Sequence, residues 1–139
     1  MRKFEFRLQR VLEYRELQEG WAKEAYLGAQ AARLRAEDDL AKLRGRREDA
    51  LLTSAPSLVE IRDLDRYLSR LEDEIEEQKS VVEILKADEE KALHEWTEAR
   101  KNLKALQKLR DSAQTEWQRQ ADREEQKSLD DWTSMRRAG

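Results

Sequence analysis

From residue 57 to residue 138 the chain contains neither glycine nor proline, and Pro56 is its only proline. Nothing local ends a helix over that span, so one helix of about 110–120 Å follows from ~1.5 Å per residue. A step of alternating three and four residues picks out Ile61, Leu64, Leu68, Leu71, Ile75, Gln78, Val82, Leu85, Glu89, Ala92, Trp96, Ala99, Leu103, Leu106, Arg110, Ala113 and Trp117. Only Gln78, Glu89 and Arg110 interrupt this apolar seam. A stripe so narrow needs a partner helix along its length.

The first half offers that partner. The same step gives Phe4, Leu8, Val11, Arg15, Gln18, Ala22, Ala25, Ala29, Ala32, Ala36, Asp39, Leu43, Arg46 and Ala50, a thinner seam with alanine in its middle. Gly20, Gly28 and Gly45 each cost about 1 kcal/mol of helix propensity relative to alanine. If the chain reverses near residue 55, these alanines face Ile75, Val82 and Leu85, and large against small lets two helices interdigitate. A parallel dimer would set alanine on alanine. The connector favours reversal. Pro56 disfavours helical geometry at Ala55, and Ser57 with Glu60 forms a capping box that starts a new helix.

The expected fold is therefore all-α. A single domain over residues 1–139 forms an antiparallel coiled-coil hairpin, with helix one at about 4–52, a turn at 53–57 and helix two at about 58–135. The second helix overhangs the first, so residues after about Leu106 project past the amino terminus and leave Trp117 and Trp132 uncovered by this chain. Gln78, Glu89 and Arg110 are expected to fix register, as polar seam residues do in coiled coils.

Charge and composition exclude several functions. Net charge is −3, with 42% charged residues, so there is no overall pull toward nucleic acid or anionic lipid. No helical face carries a sustained basic stripe. No cysteine is present, which excludes disulfides and thiolate metal sites. No stretch approaches the ~20 apolar residues that span a bilayer, and the basic start lacks the apolar run of a secretory signal. The expected location is cytoplasmic. His94, the only histidine, has no companions for a metal set or a catalytic triad. Carboxylates on exposed helix cannot be desolvated to shift their pKa, and no glycine-rich phosphate loop occurs. An enzyme is not expected, nor a cofactor or metal. Residues 60–77 carry eight acidic and three basic side chains, and residues 1–10 four basic and one acidic. The first reading of this split is a solvated helix face; the functional alternative is that two ends of opposite character meet two different partners.

Particular residues carry a resemblance. In residues 3–16, "KFEFRLQRVLEYRE", Phe4, Phe6, Leu8, Val11, Leu12 and Arg15 match the opening F-x-F-x-L-x-x-V-L-x-x-R of the FliJ family. In residues 103–132, Glu125, Gln126, Lys127, Leu129 and Asp130 resemble the closing segment of that family, while Gln107, Asp111 and Asp131 stand where glutamate is usual. The resemblance implies a cytoplasmic, non-enzymatic component of the flagellar type III export apparatus, similar to the central stalk of rotary ATPases. It implies a monomer whose open end enters the hexameric export ATPase and promotes its assembly and activity. It also implies contact with the export gate protein, escort of export chaperones, and membrane attachment only through partners. On this reading Phe4, Leu8, Arg10, Val11, Leu106, Arg110 and Trp117 face the ATPase ring, and Leu43, Tyr67 and Leu71 face the gate. Flagellum and injectisome remain open between them. The competing reading is a structural coiled-coil spacer or tether that works by dimerising.

Overall fold

The computed structural model describes residues 2–138. Two helices account for nearly all of them: α1, Gln9–Leu51, and α2, Leu58–Ala138, of 43 and 81 residues. They pack against each other as an all-α hairpin, and no strand occurs among the described residues.

The connector is built from side chains and needs no glycine, since no described residue has positive φ. At the end of α1 the Leu52 amide is shared between the Glu48 and Asp49 carbonyls, and Thr53 N–H donates to Ala50 O at 3.1 Å. Thr53 Oγ1 adds a bond to Asp49 O at 2.9 Å. These tightened bonds satisfy carbonyls that a helix end leaves open. Beyond Pro56 the Glu60 amide donates to Ser57 Oγ at 3.2 Å, and Ile61 N–H to Ser57 O at 2.9 Å. Ser57 is thus the N-cap of α2. Glu60 in the first turn and Arg136 and Arg137 in the last each complement the helix dipole.

Packing falls into two units. The first joins residues up to Gly20 with those from Glu98 onward; the second is Trp21–Thr97. In the second unit, Ala36, Leu40, Ile75 and Val82 form the buried core, flanked by Leu43 and Leu85. Ile75 is only 2% exposed, and burying a side chain of this kind contributes about 1.5–3 kcal/mol. Tyr26 stacks on Trp96 with centroids 5.4 Å apart. Seven residues further along α1, Arg33 makes a bidentate ion pair with Glu89, seven residues back along α2. One heptad forward answers one heptad back, as antiparallel pairing demands.

The seam of α2 lies where the sequence placed it, with Leu64 through Trp96 half-buried or buried at every step. The seam of α1 shifts by one residue at some steps. Tyr26, Leu40 and Arg47 face inward where Ala25, Asp39 and Arg46 were expected, while Ala32 keeps its seam position and shares it with Arg33, both half-buried. Large side chains therefore alternate with Ala22, Ala29, Ala36 and Ala50, and the facing surface is better filled than an alanine run would be.

In the first unit, α1 begins later than the start near residue 4 that helical spacing gave. Residues 2–6 are non-helical. Phe4, Phe6 and Leu8 are half-buried while Glu5 and Arg7 are exposed, the two-residue alternation of extended chain. A turn closed by Gln9 N–H to Phe6 O at 3.0 Å leads into the helix. Leu12, not Val11, is the buried residue of the next turn. On α2 the half-buried positions are Ala99, Leu103, Leu106, Ala113, Trp117 and Ala121, and every residue from 122 to 138 is exposed.

Candidate interaction surfaces

The first surface surrounds the amino-terminal segment. Its extended backbone lays Phe4 against Trp117, with ring centroids 6.1 Å apart and planes inclined by 59°. The expectation that nothing in this chain covers Trp117 is thus corrected. Extended chain advances about 3.3 Å per residue against 1.5 Å in helix, so the segment reaches further along α2 than a helix would. An open cleft of about 550 Å³ is lined by Phe4, Phe6, Leu8, Leu109, Ala113 and Trp117. A second, of about 600 Å³, is lined by Phe4, Phe6, Arg10, Glu13 and Arg110. Of the residues assigned to a ring contact, Phe4, Leu8 and Trp117 meet at the first cleft, and Arg10 and Arg110 at the second. Val11 is exposed, and Leu106 is half-buried in the seam. Arg110, expected both as a register residue and at the ring, is exposed and lines a surface.

Beyond Ala121 the helix offers Leu129, Trp132 and Met135 to solvent. The Arg136 guanidinium lies 5.0 Å from the centre of the Trp132 ring, close enough for a cation–π contact.

The hairpin tip is the second surface. Leu71 is 3% exposed, and Leu43 packs on the core, so both hold the fold together and present little to a partner. Tyr67 is exposed. Five aliphatic residues surround the turn, Leu51, Leu52, Leu58, Val59 and Ile61, all exposed, with Leu52 at 87%; Ile61 was expected as the first inward position of the α2 seam and is corrected to the surface, and the other four went unremarked in the sequence. The signal was present in "ALLTSAPSLVEI": apolar pairs flanking a turn that has no core of its own to bury them.

The polar seam residues Gln78 and Glu89 belong to the second unit. Gln78 Nε2 donates to the Ala36 carbonyl at 3.0 Å. Arg33 also bonds Glu37 at 3.0 Å. The hydrogen bond to Glu89 holds the Arg33 guanidinium above its ordinary pKa against the opposing effect of desolvation. Gln78 and Glu89 thus make the interhelical bonds expected of register residues. His94 lies on the exposed side of α2, and no group of His, Cys, Asp or Glu among the described residues has metal-binding geometry. No described helix is long and apolar enough to cross a membrane.

By its fold the chain belongs to the class of all-α helical hairpins. Residues 4–139 match the family described as Flagellar FliJ protein, and the chain belongs to that family. The family places it among the non-catalytic components of flagellar export. No curated protein and no solved structure shows significant similarity to the chain.

Proposed function

We propose that this chain acts as a stalk in the flagellar type III export apparatus. Its chain-end region enters the hexameric export ATPase, promotes ring assembly and raises its activity. Its tip contacts the export gate, and export chaperones ride on it. It works in the cytoplasm as a monomer, held at the membrane only by its partners. The observation that carries this reading is the chain-end region itself: an aromatic pair, Phe4 and Trp117, beside a helix exposed throughout residues 122–138. A ring pore needs a projecting element whose side chains are not already spent on internal packing. At the tip, Tyr67 and the five exposed aliphatic residues are the side chains free to meet a gate protein.

The test is stimulation of the cognate ATPase by a chain ending after Ala121, which keeps the Phe4–Trp117 pair. Loss of stimulation with unchanged melting of the hairpin is expected. Full stimulation by the shortened chain would remove the projecting helix from the mechanism. A dimerising tether is the second reading, because a second copy would cover Leu129, Trp132 and Met135. Sedimentation separates the two: a stalk runs at the mass of one chain, a tether at twice that mass at every concentration.

A further inference from the structure

The outward face of α1 is apolar where that of a two-stranded coiled coil is normally charged. Opposite the seam, the same three-and-four step picks out Glu24, Leu27, Ala31, Leu34, Asp38, Ala41 and Gly45. Leu27 and Leu34 are 48% and 53% exposed, and Ala31 and Ala41 are exposed with them. The corresponding row of α2 reads Asp73, Glu76, Ser80, Glu83, Ala87, Glu90 and His94; Ala87 is the one apolar residue in it, and the exposed Val81 and Ile84 beside it are followed one heptad on by Asp88 and Lys91, so no apolar stripe repeats there. The contrast rules out a general feature of the composition. α1 carries two apolar seams, and α2 covers one of them.

We propose that this outward face of α1 is a docking surface for an amphipathic α-helix of another protein, one whose apolar seam carries Lys or Arg residues two heptads apart. The coiled-coil step over three heptads specifies a helix as the occupant, since only a helix meets such a stripe along its whole length. The small residues Ala31, Ala41 and Gly45 call for large aliphatic side chains opposite them. An ideal Cβ on Gly45 meets nothing within 4 Å, so internal packing does not fill that position and a docked helix has room to lie close there. The charge comes from Glu24 and Asp38, the two polar positions of the stripe, both acidic and two heptads apart. Asp38 pairs with Lys42 at 3.1 Å, an exposed intrahelical bridge that yields readily to a better partner.

The same two acids argue against a second copy of this chain. In a two-fold antiparallel arrangement centred on Ala31, Glu24 faces Asp38 of the other copy. In a parallel one each acid faces itself. Like charges directly opposed in both polar layers disfavour self-pairing. This surface is separate from the chain-end and tip regions invoked above.

The probe is a labelled three-heptad peptide with a leucine seam interrupted by two lysines two heptads apart, titrated against the full chain. A control peptide carries glutamate at those two positions. Saturable binding of the lysine peptide, with at least tenfold weaker binding of the glutamate peptide, is expected. The double variant Leu27→Glu, Leu34→Glu should weaken the lysine peptide at least tenfold while circular dichroism and melting stay those of the parent, because both side chains are exposed. Should the glutamates perturb the fold, Leu27→Ser, Leu34→Ser gives the same reading. Equal binding of the two peptides, no binding, or binding indifferent to the variants would overturn the proposal. So would a dimer of the parent chain that the Leu27 and Leu34 variants dissolve, which would make a second copy the occupant.

Discussion

The Phe4 ring meets the Trp117 indole at 6.1 Å across the gap between the amino-terminal extended segment and α2. This contact fastens a segment that has no helical bonds of its own before Gln9. An aromatic pair is worth about 0.5–1.5 kcal/mol beyond its area burial. Phe4→Ala and Trp117→Ala should each loosen residues 2–8, and a double-mutant cycle should return a coupling of about 1 kcal/mol. Hydrogen exchange at the first turns of α1 should rise in both variants. Coupling near zero would mean that the rings merely lie close together.

The Arg33–Glu89 pair should behave as a register device more than as a source of stability. Removing one partner strands the other in the seam, whereas replacing both by aliphatic residues restores packing. Arg33→Leu should lower the melting temperature, and Arg33→Leu with Glu89→Leu should regain most of the loss. The double variant should also tolerate misregister, seen as a second set of cross-links between cysteines placed at Tyr26 and Trp96. The pair gives no pH switch through Arg33. Its folded pKa is raised, so its contribution is complete below the ordinary arginine range and is lost only above it. Denaturation midpoints of the parent and of Arg33→Leu should differ by the same amount throughout about pH 6 to 9.

Glycine at Gly28 and Gly45 has no packing role within the chain, since a Cβ at either meets nothing within 4 Å. Each sits inside α1, where alanine is better by roughly 0.5–1 kcal/mol. Gly28→Ala and Gly45→Ala should each stabilise the hairpin by that amount, additively at their separation. A loss of stability in urea titration would point to backbone bending not seen here.

Ile75 and Ile84 are close in sequence and opposite in environment. Ile75→Ala should cost about 2–5 kcal/mol, the range for a buried aliphatic truncation, whereas Ile84→Ala on the exposed side should stay within about 0.5 kcal/mol. Equal costs would mean that the phase of the α2 seam is wrong.

The fold was readable where one phase of the hydrophobic repeat excludes the others. On α2 the step through Leu64, Leu68, Leu71 and Ile75 has no competitor, because the intervening residues are charged apart from Tyr67 and Ser69. On α1 alanines stand at 22, 25, 29, 31, 32 and 36, so a three-step and a four-step both land on apolar residues. Volume decided what polarity left open: Tyr26 and Leu40 fill the interface, whereas Ala25 and Asp39 do not. The amino-terminal segment hid for another reason. Phe4, Leu8 and Leu12 fit a helix, and Phe4, Phe6 and Leu8 fit extended chain. Tertiary contact with Trp117 selects the second. The surface residues were the least legible, since exposure of Leu51, Leu52 or Leu34 depends on which faces the other helix has already taken.

From residue 122 onward α2 is exposed on all sides, so its order there rests on intrahelical bonds alone. A free helical stretch of such length is marginal in water and loses order gradually with temperature. Warming should therefore erode the dichroic signal in two stages, a shallow non-cooperative decline from the fraying tail and then a sharp melt of the paired arms. The stretch unwinds at little cost and rewinds when held, so a partner that grips it would fix a helix and one that pulls it would meet a loose strand.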